Sequence, residues 1–191
     1  PLEYLEKNKV GILYLGYTMS GITYGSDKSM PEKEFYAAMR AGELPTTSGI
    51  NFDQAKEMFS ALAEKGQDIL HIAFSSALSS SYSAASAAAE EVAAEYPERK
   101  ILVVDSLCCS LGEGLLVHKL VQLRNEGKSV EEAAQWAEKN KLHVCHNFTV
   151  DDLFHLHRGG RVSKTTAVLG TLINMKPVLH VDNEGRLVAV G

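Results

Sequence analysis

The chain has 191 residues, 45% hydrophobic and 23% charged, enough apolar mass for one large domain core or for one core and part of a second. A formal charge of −5 and a pI near 5.8 lack the basic excess that nucleic acid or an anionic lipid surface requires, which sets those partners aside. Three cysteines with no CxxC pair (Cys108, Cys109 and Cys145) fit a reducing, cytoplasmic setting, and no run long and apolar enough for a transmembrane segment occurs.

From the N-terminus, Glu3, Glu6, Lys7 and Lys9 interrupt any signal-peptide core, and an apolar run predicts a strand over residues 10–15. Asn51 with Gln54 reads as a capping box, and Phe52, Ala55, Phe59 and Leu62 repeat at helical spacing until Gly66. A strand over 68–74 is followed by an Ala/Ser-rich helix over 79–96, with Tyr82, Ala85, Ala89, Val92 and Tyr96 on one face and Pro97 stopping it. A strand over 101–105 precedes a helix over 111–124 that closes at Gly127, and Ser129 with Glu132 caps another over 130–139. Residues 142–150 read as a strand, 151–157 as a short helix broken by Gly159 and Gly160, and 163–173 as a further helix. Strands over 177–182 and 187–191 flank an Asn183-Glu184-Gly185 turn.

This alternation predicts an α/β fold of Rossmann-like character, with a largely parallel sheet flanked by helices and the beginning of a second α/β domain. The expected division is an α/β domain over 1–150, followed by linker helices and the start of another domain over 151–191. The open terminal hairpin suggests that the natural polypeptide continues.

Three polar segments could hold a ligand. Pro45-Thr46-Thr47-Ser48-Gly49 leads into the capped helix and also suits an ordinary turn. The run from Ser75 to Tyr82 leaves the carboxyl end of a strand and enters a helix, where unpaired N–H groups and a partial positive charge favour an anion. In Arg158-Gly159-Gly160-Arg161 a guanidinium follows paired glycines and can grip a carboxylate with two parallel hydrogen bonds, although a helix C-cap with a solvated arginine would look the same.

The ordered series PTTSG, SSALSSSY with SAA, VVDS, DDL with HRGGRVS, and LINMKPVL resembles the DegV family of fatty-acid-binding proteins over nearly the whole chain. The resemblance implies a non-catalytic, two-domain α/β lipid carrier without a cofactor. It holds a long-chain fatty acid and, in the best understood members, presents it as the binding subunit of a bacterial fatty-acid kinase. Carried over residue by residue, it puts the carboxylate against Thr46, Thr47, Ser48 and Ser79, with Arg161 from the GGR motif; Ser80, beside Ser79, is a further candidate for the head group. Leu78, Leu169, Leu172, Ile173 and Met175 are candidates to wall the acyl tail, with ordinary core packing the alternative for each. A tail of about fifteen carbons would gain on the order of 12 kcal/mol from burial before association costs. Two features depart from the family: Ser80 stands where members have glycine, and the usual first strand and C-terminal domain would lie beyond the two ends of this sequence.

Other readings fare worse. His143 with His146, placed on a strand, would face opposite sides, and His155 with His157 lacks a matching carboxylate pattern, so no metal site is expected. A serine-dependent hydrolase of lipid-like esters has its parts list in the serines, histidines and Asp105, but no G-x-S-x-G elbow. Gly112-Glu113-Gly114 lacks the third glycine of a dinucleotide loop.

Overall fold

The fold is that of a computed structural model that describes residues 2–163 and 176–190. α1 (Leu2–Lys7) docks on a later helix through Tyr4, whose hydroxyl lies 2.8 Å from His118 Nδ1. Residues 10–15, expected to form a strand, lie in no ladder, and this corrects the sequence reading. An extended run becomes a strand only with a partner, and none of the described strands pairs with it. Leu13 nevertheless packs onto the core.

β1 (Gly16–Met19) and β2 (Ile22–Tyr24) then form a hairpin that the apolar pattern did not announce. Its loop is Ser20-Gly21, both at positive φ, the two-residue turn whose twist matches that of the strands. Tyr17 stacks on Tyr24 at 4.8 Å and meets Phe35 of α2 (Glu32–Arg40) edge-on at 5.0 Å. β3 (Thr46–Ser48) pairs with the other edge of β1, giving an antiparallel sheet in the order β2-β1-β3. The PTTSG segment is therefore a strand and not the turn that its composition suggested.

The layered part follows: α3 (Phe52–Ala63), β4 (Ile69–Ala73), α4 (Ser81–Glu95), β5 (Ile101–Asp105), α5 (Ser110–Asn125) and α6 (Val130–Asn140). Both expected capping boxes form, at Asn51 with Gln54 and at Ser129 with Glu132. Gly66 and Gly127, at positive φ, close α3 and α5 as anticipated. β4 and β5 pair in parallel, Ile69 opposite Ile101 and Ala73 opposite Asp105. Alternation along the strands sends Ile69, Ile101 and Val103 to a core with Phe59 of α3 and Ala85, Ala89 and Val92 of α4. Leu70, Ile72 and Val104 face Leu116 and Leu120 of α5 and Ala133 and Ala137 of α6 on the opposite side. Helices flank a parallel sheet on both faces, as the sequence predicted. Alanines on α4 let its backbone approach closely.

Beyond α6 the long strand expected over 142–150 is broken. A 3-10 turn, Lys141–His143, and an irregular stretch precede the two-residue β6 (Asn147–Phe148). α7 (Leu153–Arg158) is capped by Asp152, whose carboxylate accepts the Phe154 N–H at 2.8 Å. β7 (Leu179–Val181) pairs with both β6 and β8 (Leu187–Ala189), so this antiparallel sheet draws strands from either side of residue 150. Leu153, Val162 and Leu179 form its separate small core. The helix expected over 163–173, apart from Ser163, lies outside the described residues.

The β7–β8 turn is latched to the carboxyl ends of β4 and β5. Ser75, fully buried, donates its hydroxyl to the Gly185 carbonyl at 2.9 Å, and its own N–H donates to the Cys108 carbonyl. Ser106, also fully buried, donates to the Ala73 carbonyl at 2.6 Å. Asp105 accepts the N–H groups of Ser76 and Leu107, each at 3.1 Å. Every one of these buried hydroxyls is spent on holding loops together.

Candidate functional site

At this latch the carboxyl ends of β4 and β5 open into a cavity of about 750 Å³. The volume is that of a small-molecule pocket. Thr47 and Ser48 of β3, Gly49, Leu78 and Ser79 of the loop before α4, and Arg161 all contribute to its wall. Three stretches far apart in sequence thus meet at one opening. Thr46 and Ser80, grouped with them from the sequence, are not part of the wall. Thr46 sits exposed at the start of β3, and Ser80 is taken up at the entry to α4, where its carbonyl accepts the Ser83 hydroxyl at 2.8 Å. Leu78 is buried, whereas Leu169, Leu172, Ile173 and Met175 lie outside the described residues.

Gly49 explains how close the first two stretches come. A Cβ built there would stand 2.8 Å from Ser79 Oγ, 2.9 Å from Ser81 Oγ and 3.3 Å from Ser80 Oγ, so only glycine lets the β3 exit press against the serine loop. Ser81 is buried and accepts the Ile50 N–H at 3.2 Å; its hydroxyl lies 2.8 Å from that of Ser79. The Ser81 N–H donates to Ser79 Oγ at 3.2 Å. If Ser81 also gives its proton to Ser79 Oγ, the Ser79 hydroxyl keeps its own proton for a ligand.

Arg161 is less free than its charge suggested. Its Nε donates to the Leu78 carbonyl at 3.1 Å, and Nη1 donates to the Gly159 carbonyl. The guanidinium ties the end of α7 to the serine loop and leaves its remaining N–H groups for other work.

The rest of the wall is mostly apolar. Leu15, Phe74, Leu115, Val144, Phe148 and Leu187 supply much of it, from segments that the sequence reading did not connect with a ligand. Leu15 and Leu115 are 44% and 50% exposed, so apolar surface faces the opening. Cys109, Cys145, His146 and His155 are the other polar or polarisable members. Burial pushes the Cys109 thiol above its ordinary value, which keeps it protonated and unreactive. Nearby Glu113, also desolvated, is pushed up to about 7. The sequence reading put His143 and His146 on a strand; they lie instead in the 3-10 turn and in the irregular stretch before β6. Gly112, dismissed there as a failed nucleotide motif, gives room to the His146 ring. Among the described residues no group of three or more His, Cys, Asp or Glu is placed to hold a metal. None of their helices is long and apolar enough to cross a membrane.

Comparison with known proteins adds to this geometry. The model of the family described as uncharacterised protein, DegV family, matches residues 1–191. A DegV domain-containing protein of Clostridium perfringens is 44% identical over 161 residues, 84% of this chain and 55% of its own length. Among solved structures, the stearic acid-binding protein of Eubacterium ventriosum is 27% identical with a TM-score of 0.90, and a fatty-acid-binding DegV family protein of Thermus thermophilus is 30% identical with a TM-score of 0.85. Each match covers 100% of this chain and 66% of the other. The chain thus spans roughly half to two thirds of the relatives it resembles.

Proposed function

The chain belongs to the DegV family, and from that premise we propose that it binds a long-chain fatty acid, carboxylate toward Thr47, Ser48 and Ser79 and tail along the apolar wall. The observation that carries this reading is the convergence of three hydroxyl-bearing residues and one arginine on the wall of a single, largely apolar cavity. Its division of labour is physical. Hydroxyl donors, pre-set by Ser81 and the Gly49 approach, orient the head, while the tail supplies most of the free energy at about 0.8 kcal/mol per methylene. Thr46 and Ser80 act only by shaping the segments that carry their neighbours. Arg161 holds the serine loop through Leu78 and adds positive charge toward the carboxylate. Leu169, Leu172, Ile173 and Met175 remain assigned to the tail on their apolar character in the sequence alone.

The same resemblance supports a carrier that leaves the chemistry to a fatty-acid kinase and works in the cytoplasm with no cofactor of its own. It also supports a division near residue 150. Hydrolysis is less well supported: among the described residues, the Ser79 hydroxyl's hydrogen bonds run to Ser81, and no imidazole engages it as a base.

Native mass spectrometry of protein purified from bacteria tests the proposal. A co-purifying fatty acid, lost from Ser79→Ala combined with Thr47→Val, is the expected result. A protein that arrives empty and refuses both palmitate and oleate would overturn it. Arg161→Ala should weaken loading while leaving the thermal transition nearly in place. The kinase role needs its own trial, in which a fatty-acid kinase catalytic subunit converts the bound acid to acyl phosphate only when this chain is present.

A further inference from the structure

One side chain in the cavity wall is at odds with its surroundings. His146 lines the cavity beside Val144 and Phe148, with both ring nitrogens buried and neither making a hydrogen bond among the described residues. The Val144 backbone lies near enough to favour the charged ring without reaching hydrogen-bond geometry, and burial, the larger influence, lowers the pKa and keeps the imidazole neutral. The ring rests on the first turn of α5 directly over Gly112, where any Cβ would overlap its Nε2, Cδ2 and Cε1 atoms. A slot exists there because residue 112 has no side chain, and Leu115, Val144 and Phe148 are its apolar neighbours in the cavity wall. An imidazole in such a place has given up water without gaining hydrogen bonds, a loss that methylenes would not incur. The backbone can release it, because residues 144–146 belong to neither a helix nor a strand.

We propose that His146 is a displaceable plug that sets the acyl-chain length this cavity accepts: it fills the slot over Gly112 beside a short tail and yields it to the last methylenes of a longer one. Out of the slot, the ring recovers hydrogen bonds to water while the chain gains apolar contact. The inference rests on the acyl-site reading above and adds to it a residue that decides specificity. Each methylene that the slot admits raises affinity about fourfold.

The test is the ratio of stearate to dodecanoate affinity, measured by calorimetry on the delipidated chain and on three variants. His146→Ala leaves the slot open and should raise the ratio roughly tenfold, the worth of one to two methylenes. His146→Phe fills the slot with a ring that has no reason to leave, and should lower it by a similar factor. Gly112→Ala evicts the imidazole but puts a methyl in its place, so the ratio should also fall, opposite to His146→Ala. A merely structural His146 would move both affinities together, and a ratio that stays constant in the variants that fold overturns the plug. Should the parent chain bind neither acid, the acyl-site reading itself has failed and the plug with it.

Discussion

The layered region between α3 and α6 and the antiparallel pieces on either side of it are stabilised in different ways. In the layered part α3 and α6 start in capping boxes, α3 and α5 close at glycines, and β4 and β5 bury side chains on both faces. The β1–β3 sheet and the β6–β8 sheet are short, partly exposed and dependent on distant partners, such as Gly185 on Ser75 across 110 residues. The cavity lies where the two kinds of structure meet and takes wall residues from both. Binding sites commonly combine a rigid scaffold with less regular segments that tolerate variation.

The sharpest way to break this contrast is to damage each core and watch the other. Trp136 on α6, the single tryptophan, packs against the second core and reports the layered region by fluorescence. Phe59→Ala, at a side chain 1% exposed between α3 and α4, should cost about 3–5 kcal/mol in the Trp136 denaturation curve. Leu179→Ala removes the centre of the small third core. It should leave that curve nearly unmoved while making the β6–β8 segment an early site of proteolysis. Equal displacement of the Trp136 transition by the two variants would mean one cooperative unit and no distinction between the regions.

Acid should sharpen the same contrast with a slightly smaller effect. His71 in β4 is desolvated beside Phe59, ring centroids 5.5 Å apart, and its pKa is lowered from 6.5 to about 4. The unfolded chain therefore takes up this proton before the folded one does. Stability from the neutral imidazole is complete above pH 6.5 and is lost as pH falls toward 4, about 1.4 kcal/mol per pH unit and on the order of 3 kcal/mol in all. His71→Leu should flatten the pH dependence of the Trp136 transition in that window. An unchanged slope would show that His71 is solvated in the folded chain.

The layered region was legible in the sequence because its signals are local. Asn51 with Gln54, Ser129 with Glu132, Gly66 and Gly127 each act within one turn of their own helix. The failures involve long-range partners. Residues 10–15 have the composition of a strand but no ladder to join, and residues 142–150 kept only two strand residues because β7 pairs with no more. At the site, hydroxyl-rich segments were visible as sequence and their meeting was not. Gly49 was the available clue, since a glycine between a strand and a capped helix is free to mark a close approach. Nothing in the sequence pairs His146 with Gly112, because that contact depends on how the irregular stretch before β6 crosses α5.

The smallest effect concerns the joint between the two regions. Gly185 holds φ at +77, and an added Cβ would collide with Ser75 Oγ and come within 3.2 Å of Leu107 Cα. Gly185→Ala should therefore cost about 1–3 kcal/mol through backbone strain and displacement of the turn. Ser75→Ala should cost a comparable amount by leaving the buried Gly185 carbonyl without its donor. The two losses should not add, because Ser75→Ala removes the oxygen that the new methyl would strike. A double variant no worse than Gly185→Ala alone would identify the latch as a contact between these two residues. Strict additivity would instead assign the glycine's importance to its backbone angle, independent of its contact with the Ser75 hydroxyl.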